Sequence, residues 1–196
     1  DDKPYELNIS WWSAMEDSGR DSNRFQFERF ILTQLLVMAL KGVPAFYLPA
    51  LLASENDIKS FSMTGQRRDL NREKFKLDNL LSVLNNPESN ANKNLKYLRN
   101  AMNVRSELKQ FHPCSEMKCL SRGRSDIVVI KRSKGPESVF AIHNMTENKI
   151  NYQLNDNDLP KIIDNDFNTQ DFLTSTKYNW KNISLDPFQV IWLSAL

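Results

Sequence analysis

The feature that most constrains this chain is a helix-to-strand step. Phe27, Phe30, Ile31, Leu35 and Met38 recur at helical spacing, which predicts an amphipathic helix from an N-cap at Ser22 to about Leu40. Lys41-Gly42 ends that pattern, and Val43-Pro44-Ala45-Phe46-Tyr47-Leu48 follows as an apolar run of strand length. Such a run reads as a strand buried on both faces, with Pro44 tolerated only near its start. A helix delivered into a buried strand through a glycine turn is the repeating step of a parallel α/β sheet or barrel.

Length limits how much of that architecture is present. The chain has 196 residues, whereas a complete (β/α)8 barrel takes about 250. With 40% hydrophobic and 26% charged residues, it is expected to fold around a core. Lys+Arg 26 against Asp+Glu 24 leaves a net charge of +2, too mild to name a partner. The greasiest region, 30–52, is broken by Thr33, Gln34, Lys41, Gly42 and Pro44, so no membrane span is predicted. The opening Asp1-Asp2-Lys3-Pro4 lacks a start Met and a signal pattern, and it reads as beginning within a longer protein. Cys114 and Cys119 are too widely spaced for Cys-x2-Cys and have no second ligand pair, so no zinc site is expected. Two free thiols fit a reducing cytoplasm. The Asn-x-Ser/Thr triplets at Asn8, Asn144 and Asn182 then read as coincidence.

Pro49 to Arg72 is polar and aperiodic. An irregular segment of that length after a buried strand is unusual unless it carries function, and loops at the C-terminal ends of parallel strands are where α/β active sites form. Helices are predicted over Glu73–Leu84 and Glu88–Leu108, divided by Asn85-Asn86-Pro87. Beyond His112-Pro113 the pattern turns to short β-type runs at 127–130, 138–142, 149–154, 172–173 and 188–193. These predict an antiparallel β-domain over Met117–Leu196. The expected domains are therefore 1–112, α/β in character, and 113–196, β in character.

Three groups of residues bear on chemistry. Basic clusters at Arg67-Arg68, Arg122/Arg124 and Lys131-Arg132/Lys134 carry no aromatic-rich or helix-turn-helix pattern, so they read as solvated surface and nucleic acid is not an expected partner. Trp192, beside Val190 and Leu193, reads as core, and His112 and His143 have no nucleophile partner in any motif. The third group is Arg67, Arg68 and Arg72. A guanidinium fork can hold a carboxylate, a phosphate or sugar hydroxyls; the same residues also suit an ordinary surface loop, and the residues alone single out none of the three.

Pro4-Tyr5-Glu6-Leu7-Asn8, Gly42–Tyr47, Leu51-Leu52-Ala53-Ser54-Glu55-Asn56-Asp57, Thr64-Gly65 and Arg68-Asp69-Leu70-Asn71-Arg72 together resemble the sucrose phosphorylase and glucosylglycerate phosphorylase subfamily of glycoside hydrolase family 13, the α-amylase superfamily. The likeness is specific over Lys3–Phe75 and architectural beyond it. It implies the C-terminal part of a (β/α)8 TIM barrel with closing helices, followed by a small antiparallel β-domain.

The resemblance also implies a function. The parent would be a retaining α-glucoside phosphorylase, moving glucose from sucrose, sucrose 6-phosphate or glucosylglycerate to phosphate and giving α-glucose 1-phosphate. Retention requires two carboxyls about 5–5.5 Å apart. The family's Asp nucleophile, Glu acid/base and Asp stabiliser would all lie upstream of Asp1, so no catalytic residue is expected in this chain. The substrate-binding residues carried over are Arg68, as the arginine that holds the glucosyl unit, and Tyr5 and Glu6, in a loop that meets the acceptor or phosphate. Sucrose phosphorylases usually have Tyr-Gln there with an Asp two residues earlier, where this chain has Tyr5-Glu6 and Lys3; Pro-Tyr-Glu-Leu-Asn looks more like the relatives acting on glucosylglycerate or sucrose 6-phosphate. The expected partners are a small carbohydrate, phosphate as co-substrate and the rest of the same polypeptide, with no cofactor, metal, nucleic acid or membrane. Two alternatives stand beside this reading: a hydrolase or transglucosylase of the same superfamily, and a non-catalytic carbohydrate-binding module built on the β-domain.

Overall fold

The computed structural model describes residues 7–16, 24–155, 157–158 and 168–195. It divides into two compact units, Asp1–Phe30 with Ala45–Leu98, and Ile31–Pro44 with Arg99–Leu196. Helix α1 (Gln26–Ala39) begins in the first unit and ends in the second. The Ser22 cap predicted for it lies outside the described residues.

The first unit is a set of short helices: α2 (Leu48–Leu51), α3 (Ile58–Thr64), α4 (Leu77–Asn85) and the start of α5 (Asn90–Glu107). Its small core sets Trp12 edge-on against Phe27 and Phe30, with ring centroids 6.4 and 5.3 Å away, over Ala50 and Ala53. Side chains hold the surrounding backbone. Gln26 Nε2 donates to the Trp12 carbonyl at 3.1 Å, and the buried Asn94 Nδ2 donates to the Ala50 and Leu51 carbonyls at 3.0 and 2.9 Å, closing α2.

The second unit is built on a four-stranded antiparallel sheet in the order β1 (Glu116–Cys119), β2 (Ile127–Lys134), β3 (Glu137–Asn144), β8 (Val190–Ala195). Two further antiparallel pairs accompany it: β4 (Ile150–Tyr152) with β7 (Ile183–Leu185), and β5 (Asn168–Gln170) with β6 (Lys177–Asn179). Lys134 faces Glu137 across a two-residue turn whose first residue, Gly135, has φ +61, the backbone that a tight hairpin demands. Strand β3 is buried almost throughout because both faces of the sheet are covered. Ile127, Val129, Phe140, Ile142, Ile191 and Leu193 form one face and pack with Leu154, Trp180, Ile183 and Leu185. On the other face Trp192 meets Phe111, with centroids 4.7 Å apart, and Arg132 reaches the end of α1.

That reach completes the helix. The last carbonyls of an α-helix have no partner within it. Here Arg105 Nε donates to Met38 O (2.9 Å) and its Nη2 to Gly42 O (3.0 Å), while Arg132 Nη1 donates to Ala39 O (3.2 Å) and Leu40 O (2.8 Å). Arg132 is fully buried and also donates to the His112 and Glu116 carbonyls. A cation at the negative end of the helix dipole is favourably placed, and burial pulls both guanidiniums below their ordinary pKa.

The structure corrects four expectations. Val43–Tyr47 is not a buried strand: Val43 is 80% exposed and the segment makes no strand pairing. A strand needs a neighbour to accept its ladder; every strand pairing among the described residues is antiparallel and joins other segments, so the parallel barrel strands are not in these residues. Pro49–Arg72 is not irregular, since α2, α3 and a 3-10 turn at Arg67–Asn71 occupy it; helices this short escape a periodicity search. The helix predicted from Glu73 starts at Leu77 and the one from Glu88 at Asn90. Phe172-Leu173 is a turn rather than a strand. The buried Asp171 makes it by accepting from the Leu173 and Thr174 amides, the Thr174 hydroxyl and the Trp192 amide.

Candidate functional site

Of the residues that carry the family resemblance, those from Leu51 to Arg72 fall in the first unit. Ala53 is buried with φ +49, a left-handed backbone that is costly for a residue with a Cβ, and it turns the chain sharply out of α2. Asn56 then links this stretch to the N-terminal segment: its Oδ1 accepts from Ser10 N at 2.7 Å, and its amide donates to Ser13 Oγ at 3.1 Å. Asp57 caps α3, with Oδ1 accepting from Ser60 N at 2.8 Å and Oδ2 from Ser60 Oγ at 2.5 Å. The Ser60 hydroxyl and amide hold the Asp57 carboxyl below the usual range.

The arginine-bearing turn is tied to this cap. Gly65, at φ +66, ends α3. Thr64 Oγ1 donates to Asp69 Oδ2 at 2.7 Å and accepts from Gln66 N at 3.1 Å, and Asp57 N donates to Leu70 O at 2.8 Å. The 3-10 turn Arg67–Asn71 is thus fixed at both ends, with Arg67 and Arg68 exposed on it. A cavity of about 820 Å³ lies beside this framework, lined by residues that include Glu55, Asp57, Lys59, Glu73, Lys74 and Lys76. Its charge is mixed, which suits a polar, uncharged occupant better than a strong anion.

Arg68 does not line that cavity, and Tyr5 and Glu6 lie outside the described residues. The Asn56 link to Ser10 and Ser13 was missed by sequence reasoning, because nothing local connects residues 43 to 46 positions apart. Asp57 carried a usable signal, an acid just before an apolar helix with Ser three residues later. The thiols of Cys114 and Cys119 are free and exposed, and no cluster of metal-ligating side chains occurs among the described residues. No helix among them is long and apolar enough to cross a membrane.

No family model matches the chain. Curated relatives do. A glucosylglycerate phosphorylase of Allomeiothermus silvanus is 27% identical over 191 residues, 97% of this chain and 31% of that protein. That of Escherichia coli is 23% identical, over 97% of this chain and 32% of its own length, and that of Spirochaeta thermophila is 30% identical over 71% of this chain and 21% of its own length. The chain is thus similar to a portion of glucosylglycerate phosphorylases. It spans about a third of the length of the relatives matched over nearly all of it. Solved structures share the fold: AmyP E221Q in complex with maltotriose matches with a TM-score of 0.69 at 17% identity, over 87% of this chain and 35% of that one. The Bacillus licheniformis trehalose-6-phosphate hydrolase matches with a TM-score of 0.62 at 16% identity, over 90% and 40%.

Proposed function

We propose that the parent protein is a retaining α-glucoside phosphorylase, which transfers a glucosyl unit to phosphate and yields α-glucose 1-phosphate. The observation that carries this reading is the match of three glucosylglycerate phosphorylases. Glucosylglycerate and sucrose 6-phosphate are the preferred donors, because Tyr5-Glu6 with Lys3 departs from the Tyr-Gln form associated with sucrose.

In this reading Arg68 holds the glucosyl unit. A guanidinium offers several donors in one plane and stays charged, and the turn that carries it is braced by the Thr64–Asp69 bond. Tyr5 and Glu6 meet the acceptor or phosphate. The catalytic carboxylates come from the rest of the polypeptide; a Lys beside the acceptor site favours an anionic acceptor by charge attraction.

The test uses the full-length parent with sucrose, sucrose 6-phosphate and glucosylglycerate, each with and without phosphate. Phosphate-dependent release of glucose 1-phosphate from at least one donor is the expected result. Free glucose at the same rate without phosphate would make the protein a hydrolase instead. Arg68→Ala is expected to lower kcat/KM about 100-fold, the scale of losing a positioning contact to the reacting sugar.

A further inference from the structure

We propose that the second unit carries a binding site for a small phosphate-bearing ligand, in the cavity between the end of α5 and the β2–β3 turn. The cavity has a volume of about 310 Å³ and is lined by Arg105, Lys109, His112, Lys134, Leu108 and Phe111 among others, with no Asp or Glu. That volume is at the small end for metabolite pockets. A one-sided lining is unusual in a chain whose opposite charges nearly balance.

The cations at this cavity have no acid to answer them. Lys109 and Lys134 make no ion pair among the described residues. Glu137, which faces Lys134 across the hairpin, instead accepts from Gln110 Nε2 at 2.7 Å. Arg105 uses Nε and Nη2 on the carbonyls of Met38 and Gly42, which leaves Nη1 to donate elsewhere. The His112 ring accepts from Cys114 N through Nδ1 at 3.2 Å, so its Nε2 is left to bear the proton and donate. Behind His112 lies buried Arg132, and the Phe111 ring has the Arg105 and Arg132 guanidinium carbons each 5.8 Å from its centroid.

Two guanidiniums answered only by carbonyl dipoles, with two unpaired ammonium groups beside them, give a positive potential focused by an apolar wall. Phosphate matches this set through fork-type and point-charge donors together. Leu108 and Phe111 add apolar surface for the body of an ester. The shared chemistry is a phosphate dianion, whether free or esterified.

Isothermal titration of the full 196-residue chain with inorganic phosphate and with phenyl phosphate tests the site. Saturable binding is expected, weakened at least tenfold in the K109E/K134E variant and unchanged in K118E/K177E, which alters net charge equally elsewhere in the same unit. Arg68→Ala should leave it unchanged, which separates this site from the proposed sugar contact. Tighter binding of phenyl phosphate identifies an organic ester as the ligand class; equal binding identifies free phosphate. No saturable binding, equal weakening in K118E/K177E, or loss in R68A alone would overturn the proposal.

Discussion

The two units differ in what they do with apolar side chains. Among the described residues, the first unit leaves ten large ones exposed, including Met63 at 78% and Leu77 at 67%, against three in the second. The second unit encloses Trp180, Trp192, Phe140, Ile142 and Leu154 completely. Apolar periodicity is clear in α4 of the first unit and in the strands of the second. Periodicity therefore fixes which face of an element is apolar, and a further layer must supply what that face meets. In the second unit Leu154, Trp180, Ile183 and Leu185 supply it on one side of the sheet, and Phe111 and the end of α1 on the other; in the first, caps and side-chain hydrogen bonds to the backbone carry more of the order.

The sharpest test of this contrast is Phe140→Ala, which empties a fully buried aromatic site beside Trp180. A loss of about 4 kcal/mol is expected in urea unfolding followed by tryptophan fluorescence. Arg132→Ala should follow at about 3 kcal/mol, because four backbone carbonyls lose a charged donor at once; a loss under 1 kcal/mol would show that water replaces it.

His143 adds a pH dependence confined to the second unit. Its ring is fully buried, and desolvation pulls its pKa down to about 4 despite backbone hydrogen bonds that oppose the shift. The folded state keeps it neutral while the unfolded chain takes up a proton below about pH 6.5. Its contribution is therefore complete above that pH and is lost as pH falls from 6.5 towards 4. From pH 7.5 to 5 the loss is about 2 kcal/mol, and His143→Gln should flatten that slope. An unchanged slope would assign the dependence to other groups.

Effects in the first unit should be smaller. Asp57→Ala removes the α3 cap and should cost about 1 kcal/mol, read as a lower urea midpoint. Leu81→Ser, on the exposed side of α4, should change stability by less than about 0.5 kcal/mol. A large loss there would show that α4 packs into a core despite its exposed face, and would erase the contrast.

Much of the second unit was legible because its signals are local and repeated: Ile127-Val-Val-Ile130 and Val190–Leu193 are strands, and Trp192 is core. The Asp171 turn was not, since Phe172-Leu173 looks like any apolar pair and the deciding partner is the amide of Trp192, 21 residues away. Val43–Tyr47 was misread for a different reason. Its composition suits a buried strand, but composition cannot provide the neighbour that a strand pairs with. At the candidate site, the Arg67–Arg72 cluster was visible as a cluster, and only the resemblance singled out Arg68. The cap at Asp57 was readable in principle; the Asn56 link to Ser10 and Ser13 required the folded chain.

The arginine that closes α1 sets a schedule for synthesis. The carbonyl of Ala39 waits for a donor 93 residues further along. At translation rates of roughly 5–20 residues per second, that helix end stays open for about 5 to 20 seconds after it is made. Through that interval the nascent helix lacks its final fastening, and only the arrival of β2 at the ribosome exit can provide it.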